Sequence, residues 1–250
     1  DIGWTFDDDD ARAVGIDPVG HRRFLNDFYT GKFQGSFAKG MPFQFNPNNG
    51  DLRISGTLAS LAGLEQALAA ENPQLIEMAV RRINLMRSMM LSMSGIPLIY
   101  LGDEWGMLND YTYLDDPARS GDSRWVHRSR RRWEAREDLT DADTLQWRFF
   151  NEMVRLVGIR KNLPAFYNGG LEMVPSGNPH LFAFVRQNQG QRILIVNNFS
   201  DHPQSMAADL LASIGYGQGG LDLIADWQIQ TEQPLDLDAY RFVWLKPVQK

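Results

Sequence analysis

Gly95-Ile96-Pro97-Leu98-Ile99-Tyr100-Leu101-Gly102-Asp103-Glu104 is the stretch that decides the fold. The apolar run 96–101 reads as a short buried strand, and so continuous a run suits a parallel sheet covered on both faces. Gly102-Asp103-Glu104 is the polar turn that ends it. Adjacent side chains on an extended turn point apart, so Asp103 and Glu104 cannot act jointly on one bond and read as structural. Before the run, Ile76, Val80, Ile83, Met86, Met90 and Met93 recur at helical spacing, which predicts a helix over 73–93. Asn72 is its cap, Pro73 its first-turn residue and Gly95 its stop. After the run comes a long polar loop over 103–142 that holds the basic stretch Arg128 to Arg132. A second helix then covers about 143–162, with Asp143 as cap and Leu145, Phe149, Met153 and Leu156 along one face.

Beyond Pro164 the texture changes. Residues 181–185, 193–196 and 240–245 are strand-like runs with polar turns between them. They predict an all-β domain over 165–250, an antiparallel sandwich. Residues 1–70 read the opposite way. Periodicity is weak, turn signals are frequent (Gly20, Gly31, Gly40, Pro42, Asn48-Asn49-Gly50), and aromatic residues are interleaved throughout. A long ordered loop of this kind is usually functional. Asp7 to Asp10 lack the alternation and the glycine of a calcium loop and read as a solvated acidic turn.

Composition narrows the function classes. A chain of 250 residues suggests one or two domains. There is no cysteine, hence no disulfide and no thiolate metal site. A net charge of −6 gives no signature of nucleic-acid binding. The longest apolar stretch, around 89–101, is broken by Ser, Gly and Pro and is too short to span a bilayer. The first residues are polar and acidic, unlike a signal peptide. His21, His127, His180 and His202 are scattered without ligand spacing, and there is no phosphate loop, zinc spacing or nucleophile elbow.

Helix, strand, long loop and helix is the order found at the end of a (β/α)8 barrel. The 95–104 stretch resembles strand eight of many enzymes of the α-amylase superfamily, glycoside hydrolase family 13. Asp1-Ile2-Gly3-Trp4 resembles the loop after strand seven in the amylosucrase and sucrose hydrolase subfamily, where a His-Asp-Asp triplet runs into Ile-Gly-Trp. His21-Arg22-Arg23-Phe24-Leu25-Asn26, Met41-Pro42-Phe43-Gln44-Phe45-Asn46 and Gly50-Asp51-Leu52-Arg53-Ile54-Ser55-Gly56 resemble parts of the insertion that follows that strand. Asp122-Ser123-Arg124-Trp125 is similar to the subfamily's Asp-Ser-Arg-Trp motif.

The resemblance implies that residues 1–164 are the C-terminal part of a catalytic barrel, with the insertion over about 1–70, and that 165–250 are a β-sandwich domain. It implies that the nucleophile, the acid/base and the stabilising Asp lie upstream of residue 1, so this chain holds no catalytic residue of its own. Asp1, Arg22, Gln44, Arg53 and Arg124 are the substrate-binding residues it implies. Asp1 would meet the fructosyl half of sucrose, and Arg22, Gln44 and Arg53 the sucrose or acceptor sites. Arg124 would close the glucose pocket through an ion pair with an Asp of the first barrel strand. Arginine suits such work because its donors are held in a rigid fork.

The implied reaction is retaining transfer of glucose from sucrose to an α-1,4-glucan, with fructose released. Sucrose hydrolysis, with water as acceptor, and other reactions of the superfamily remain open alternatives. The expected partners are sucrose, the acceptor and the N-terminal half of the enzyme; no nucleic acid, membrane or cofactor is required. The chain alone is expected to be inactive and poorly stable. A non-enzymatic alternative is a carbohydrate-binding or scaffold fragment. Tyr167, Tyr216, Trp227 and Trp244 are its candidate aromatics, although their place in or beside strands favours the core.

Overall fold

The computed structural model describes residues 2–47, 51–129, 139–230 and 232–248. Asp1, the Asn48-Asn49-Gly50 turn and Arg130 to Arg132 lie outside the described residues. The chain forms two compact units, one of residues 1–79 and 100–147, the other of residues 80–99 and 148–250.

The second unit is built on a six-stranded sheet. Strands β3 (Gly170–Val174), β4 (Leu181–Asn188), β5 (Gln191–Asn198), β7 (Gly220–Asp222), β8 (Trp227–Ile229) and β10 (Phe242–Pro247) lie in the order β3-β4-β5-β10-β7-β8. All the pairings are antiparallel. A two-stranded sheet of β6 (Gln204–Met206) and β9 (Leu235–Leu237) accompanies it.

The middle stretches of the three central strands, 181–185, 193–196 and 242–245, are continuously apolar because both faces are covered. Leu181, Ala183, Val185, Leu194, Val196, Val243 and Leu245 join Met206, Leu235 and Leu237 in one core. The alternate residues Phe184, Ile193, Ile195, Phe242 and Trp244 join helix residues Leu85, Leu91, Met153 and Leu156 in another. A one-residue slip would exchange the two sets, so packing pins the register, with Ile195 opposite both Phe184 and Trp244. The strand runs expected from the sequence therefore form, and the compact unit around them extends beyond 165–250 to take in helix residues from 80–92 and 148–161.

Both expected long helices form, as α5 (Pro73–Ser92) and α6 (Leu145–Lys161). Asn72 caps α5, its Oδ1 accepting from the backbone N–H of Gln74 and Leu75. The cap of α6 is Thr144, whose Oγ1 accepts from Trp147 N at 3.1 Å, and not Asp143. Asp143 sits one residue too early to reach that N–H.

The expected strand 96–101 does not form. Residues 96–100 hold neither helix nor strand, and Ile96 is 98% exposed. A parallel strand needs a parallel neighbour to close its ladder, and every pairing among the described residues is antiparallel.

The first unit corrects the reading of 1–70 as loop. It holds α1 (Asp8–Ala13), α2 (Pro18–Tyr29), α3 (Leu58–Leu61) and α4 (Leu64–Ala69), with a hairpin of β1 (Met41–Phe43) and β2 (Arg53–Ser55). Three of these helices span six residues or fewer, too short to show periodicity, and side-chain caps mark the starts of α1, α2 and α3. Asp7 accepts from Asp9 N and Asp10 N, Asp17 from Gly20 N, and Thr57 from Ser60 N. The acidic run is thus a helix start, where carboxylates complement the helix dipole.

Candidate functional site

The β1–β2 hairpin is the assembly point of the first unit. Phe43 pairs with Arg53 across it, and Gln44 follows at once. Gln44 has φ of 51°, a left-handed conformation that costs a non-glycine residue about 1–2 kcal/mol. Its side chain is exposed, and Asn46 N donates to Asp51 O at 2.8 Å to close the loop. Gly40 lets the hairpin seat: a Cβ there would stand 2.3 Å from Ile54 Cγ2 and 2.7 Å from Tyr29 O.

A 3-10 turn, Ser123–His127, docks on the hairpin. Ser123 Oγ donates to Pro42 O at 2.8 Å, and the Arg124 guanidinium lies 4.6 Å from the Phe43 ring centre. Phe43 thus stands between Arg53, its cross-strand partner, and Arg124, with Gln44 adjacent. Arg53 and Arg124, seventy-one positions apart in sequence, meet at one ring.

Arg124 already has a carboxylate partner. Its Nε and Nη2 each donate to Asp122 at 2.8 Å, in a forked pair, and Asp122 also accepts from the Arg124 backbone N–H. The guanidinium hydrogen bonds hold the Asp122 carboxyl down to about 2. This local pair fixes the arginine over Phe43, a role the sequence reading did not give to Asp122. The signal for it was present in the two-residue spacing, which suits an Asx turn.

Arg22 is placed differently. With 17% of its side chain exposed, it reaches the carbonyls of Trp4, Phe6 and Pro18 and meets the Asp8 carboxylate at 2.5 Å. Arg22, Asn26 and Tyr29 lie along one face of α2. Asn26 Oδ1 accepts from the Trp4 indole at 2.7 Å, and Tyr29 stacks on Trp4 with ring centres 5.3 Å apart. Together they clasp residues 4–8 to the helix. The neighbouring Ile2 exchanges two backbone hydrogen bonds with Ile54, and Gly3 lies beside the Arg53 stem. Asp1, the remaining expected residue, is outside the described residues.

A polar network that the sequence reading missed underpins α3 and α4. Glu65, 11% exposed, accepts from Ser60 Oγ at 2.6 Å and Tyr111 Oη at 3.0 Å, and pairs with Lys39 at 2.7 Å. Asn109 links Thr57 N, Ser60 Oγ, Lys39 O and Tyr111 Oη. The Glu65 hydrogen bond raises the Lys39 pKa, and burial raises that of Tyr111. No single spacing reveals the network, because its members come from three separate segments.

Residues 171–244 match the family described as Maltogenic Amylase, C-terminal domain. These are the strands of the six-stranded sheet and the segments between them. The trehalose synthase/amylase TreS of Mycobacterium tuberculosis is 28% identical over 155 residues, covering 52% of this chain and 25% of that protein. The trehalose synthase of Thermus thermophilus is 26% identical over 155 residues, covering 54% of this chain and 16% of that protein. The chain thus spans a quarter or less of these curated relatives. Among solved structures, the trehalulose synthase MutB of Pseudomonas mesoacidophila superposes with a TM-score of 0.50 at 18% identity, over 66% of this chain and 38% of MutB. One MutB variant is in complex with the substrate sucrose.

At these identities the solved-structure likeness carries the fold, that of the (β/α)8-barrel enzymes of family 13 with an antiparallel β domain at the C-terminal end. Likeness to the α-amylase superfamily stands. Among the four aromatics considered for carbohydrate binding, Tyr216 and Trp244 are buried in the cores, whereas Tyr167 and Trp227 are exposed. Among the described residues no helix is long and apolar enough to cross a membrane.

Proposed function

We propose that this chain supplies the substrate-facing surface of a retaining α-glucoside-active enzyme of the amylosucrase type. The enzyme takes glucose from sucrose, releases fructose and passes the glucosyl group to an α-1,4-glucan. The observation that carries this reading is the meeting of Arg53 and Arg124 at Phe43, with Gln44 the next residue along the chain. Two guanidinium groups, an amide and an aromatic ring are the kinds of group that bind a polyhydroxylated ring; Asp122 holds Nε and Nη2 of Arg124, which leaves its Nη1 edge for such a contact. The left-handed backbone at Gln44 adds support, since strained residues concentrate where a side chain must be aimed.

In this reading Arg124 serves the glucosyl side, oriented by Asp122, and Arg53 and Gln44 serve the fructosyl and acceptor side. Arg22 acts through the 4–8 segment that it clasps, while Asp1 contacts the fructosyl half. Attack and leaving-group protonation belong to two carboxylates on earlier barrel strands of the same enzyme. The exposed run 96–101 fits this reading, because an apolar strand of that kind is covered once parallel neighbours flank it.

The test is the complete gene product containing this chain, given sucrose with and without glycogen. The expected result is fructose release with glucosyl units added to glycogen. Equal release of glucose and fructose would favour the hydrolase alternative. Conversion to an isomeric disaccharide would favour the isomerase chemistry of the trehalose and trehalulose synthases. No consumption of sucrose would overturn the reading. Arg124→Ala should lower kcat/KM about tenfold to a hundredfold for sucrose and for an aryl α-glucoside alike, whereas Arg53→Ala should act mainly on sucrose and acceptor use.

A further inference from the structure

Arg124 and Trp125 are neighbours on a 3-10 turn, where successive side chains diverge by about 120°. Arg124 turns to Phe43. Trp125 turns to a cavity of about 720 Å³ in the same unit. That volume lies in the range of small-molecule sites. Trp105, Tyr113 and Trp125 give the cavity aromatic walls, and Asp110, Arg119 and Gln146 give it polar groups.

The polar groups have unused capacity. Asp110 Oδ1 accepts from Thr112 N and Oγ1, and Oδ2 has no partner among the described residues. Arg119 spends its Nε on Asp116 at 3.1 Å while its guanidinium stacks 4.6 Å from the Trp125 ring centre. The Gln146 amide has no partner among the described residues. The wall is fixed from behind, because Asn109 and Tyr111, which also line the cavity, are locked into the Glu65 network.

The charge pattern narrows the ligand. Among the described residues no three acidic or imidazole side chains converge as a metal ion would need. Two carboxylates, Asp110 and Asp116, and two guanidiniums, Arg119 and Arg128, line the cavity, so the lining carries no net charge. Aromatic walls with both donors and acceptors suit a neutral, polyhydroxylated molecule.

We propose that this cavity is a second saccharide site, taking pyranose rings back to back with the Gln44–Arg53–Arg124 surface across the Ser123–His127 turn. The choice of a saccharide rests on the carbohydrate-active reading above; the existence of the site rests on the cavity itself. The rings could belong to a glucan chain or to a free disaccharide, which share this chemistry.

The experiment is calorimetric titration of the complete gene product with maltoheptaose and, separately, with sucrose. Wild type is compared with Asp110→Asn and Gln146→Ala. Asp110→Asn keeps an oxygen to cap Thr112, and Gln146 is exposed, so two independent variants guard against misfolding; their thermal midpoints are measured alongside. Each cavity variant is expected to weaken binding of at least one sugar about tenfold. Loss with maltoheptaose alone points to a glucan, and loss with sucrose alone to the disaccharide. Unchanged affinity in both folded variants, or no binding by wild type, overturns the proposal. A protein that cleaves sucrose but fails these titrations loses only the second site. One that binds through Asp110 and Gln146 but leaves sucrose intact loses only the proposed reaction.

Discussion

The two units of this chain reach order by different means. The sheet unit has two apolar cores, one on each face of the β4-β5-β10 triplet, and its largest fully buried side chain is Trp244. The other unit buries mostly small or isolated apolar residues, such as Ala38, Ile54, Ala59 and Val126. It relies on caps and side-chain-to-backbone clasps: Asp7, Asp17 and Thr57 on helices, Arg22 on three carbonyls, and Asn109 on four groups. Apolar area is non-directional and gives bulk stability. Hydrogen bonds are directional and set where a side chain points. The clasped unit is the one that carries the candidate surface, where aim matters more than bulk.

The largest expected effect is in the sheet. Trp244 is fully buried, with its indole donating to Ser88 Oγ at 3.0 Å and its ring 5.0 Å from that of Phe166. Trp244→Ala should cost about 3–5 kcal/mol in urea unfolding. A loss below about 1 kcal/mol would mean that the core on that face is not close-packed, and the contrast between the units would fail.

A clasp should behave in the opposite way. Arg22→Ala removes hydrogen bonds from a charged donor, at about 1.5–3 kcal/mol. The expected readout is local: faster amide hydrogen exchange in residues 4–8, with the unfolding midpoint of the sheet unit unchanged. Global unfolding at a lower midpoint would show that the clasp supports the whole chain.

Acid sharpens the contrast further. Burial, helped by Arg128, pushes the His127 pKa down from 6.5 to about 4. A base whose folded pKa lies below its unfolded one contributes stability that is complete above pH 6.5 and lost as pH falls toward 4. Solvent screening of a partly exposed ring makes this smaller than the core effect. Wild type should therefore lose stability across that window, and His127→Gln should lose less, as followed by thermal midpoint against pH. Parallel curves for the two proteins would contradict a neutral, buried imidazole.

The smallest effect is at the α5 cap. Asn72→Ala should cost about 1 kcal/mol, through the bonds to Gln74 and Leu75. Exchange at the first turn of α5 checks it, and unaltered exchange there would show that packing alone holds that turn.

What the sequence determined by itself was whatever short-range periodicity encodes. The apolar spacing of 73–93 and 143–162, the Asn72 cap and the strand runs at 181–185, 193–196 and 240–245 all follow from one helix turn or one strand pleat. Two of the motif segments meet, since Phe43 pairs with Arg53 and the Arg124 guanidinium lies over the Phe43 ring. Four matters needed the tertiary structure. Three of the helices of the first seventy residues span six residues or fewer, too brief for a period to show, and the twelve-residue α2 starts at its Asp17 cap. The apolar run 96–101 carries strand composition, but a strand is a relation to neighbours and exists only where a ladder closes. Arg22 and Arg124 look alike in sequence. One is consumed by backbone carbonyls and the other held in a fork by Asp122, which only the path of the chain decides. The Glu65 network joins residues up to seventy positions apart, and no local pattern encodes contacts at that range.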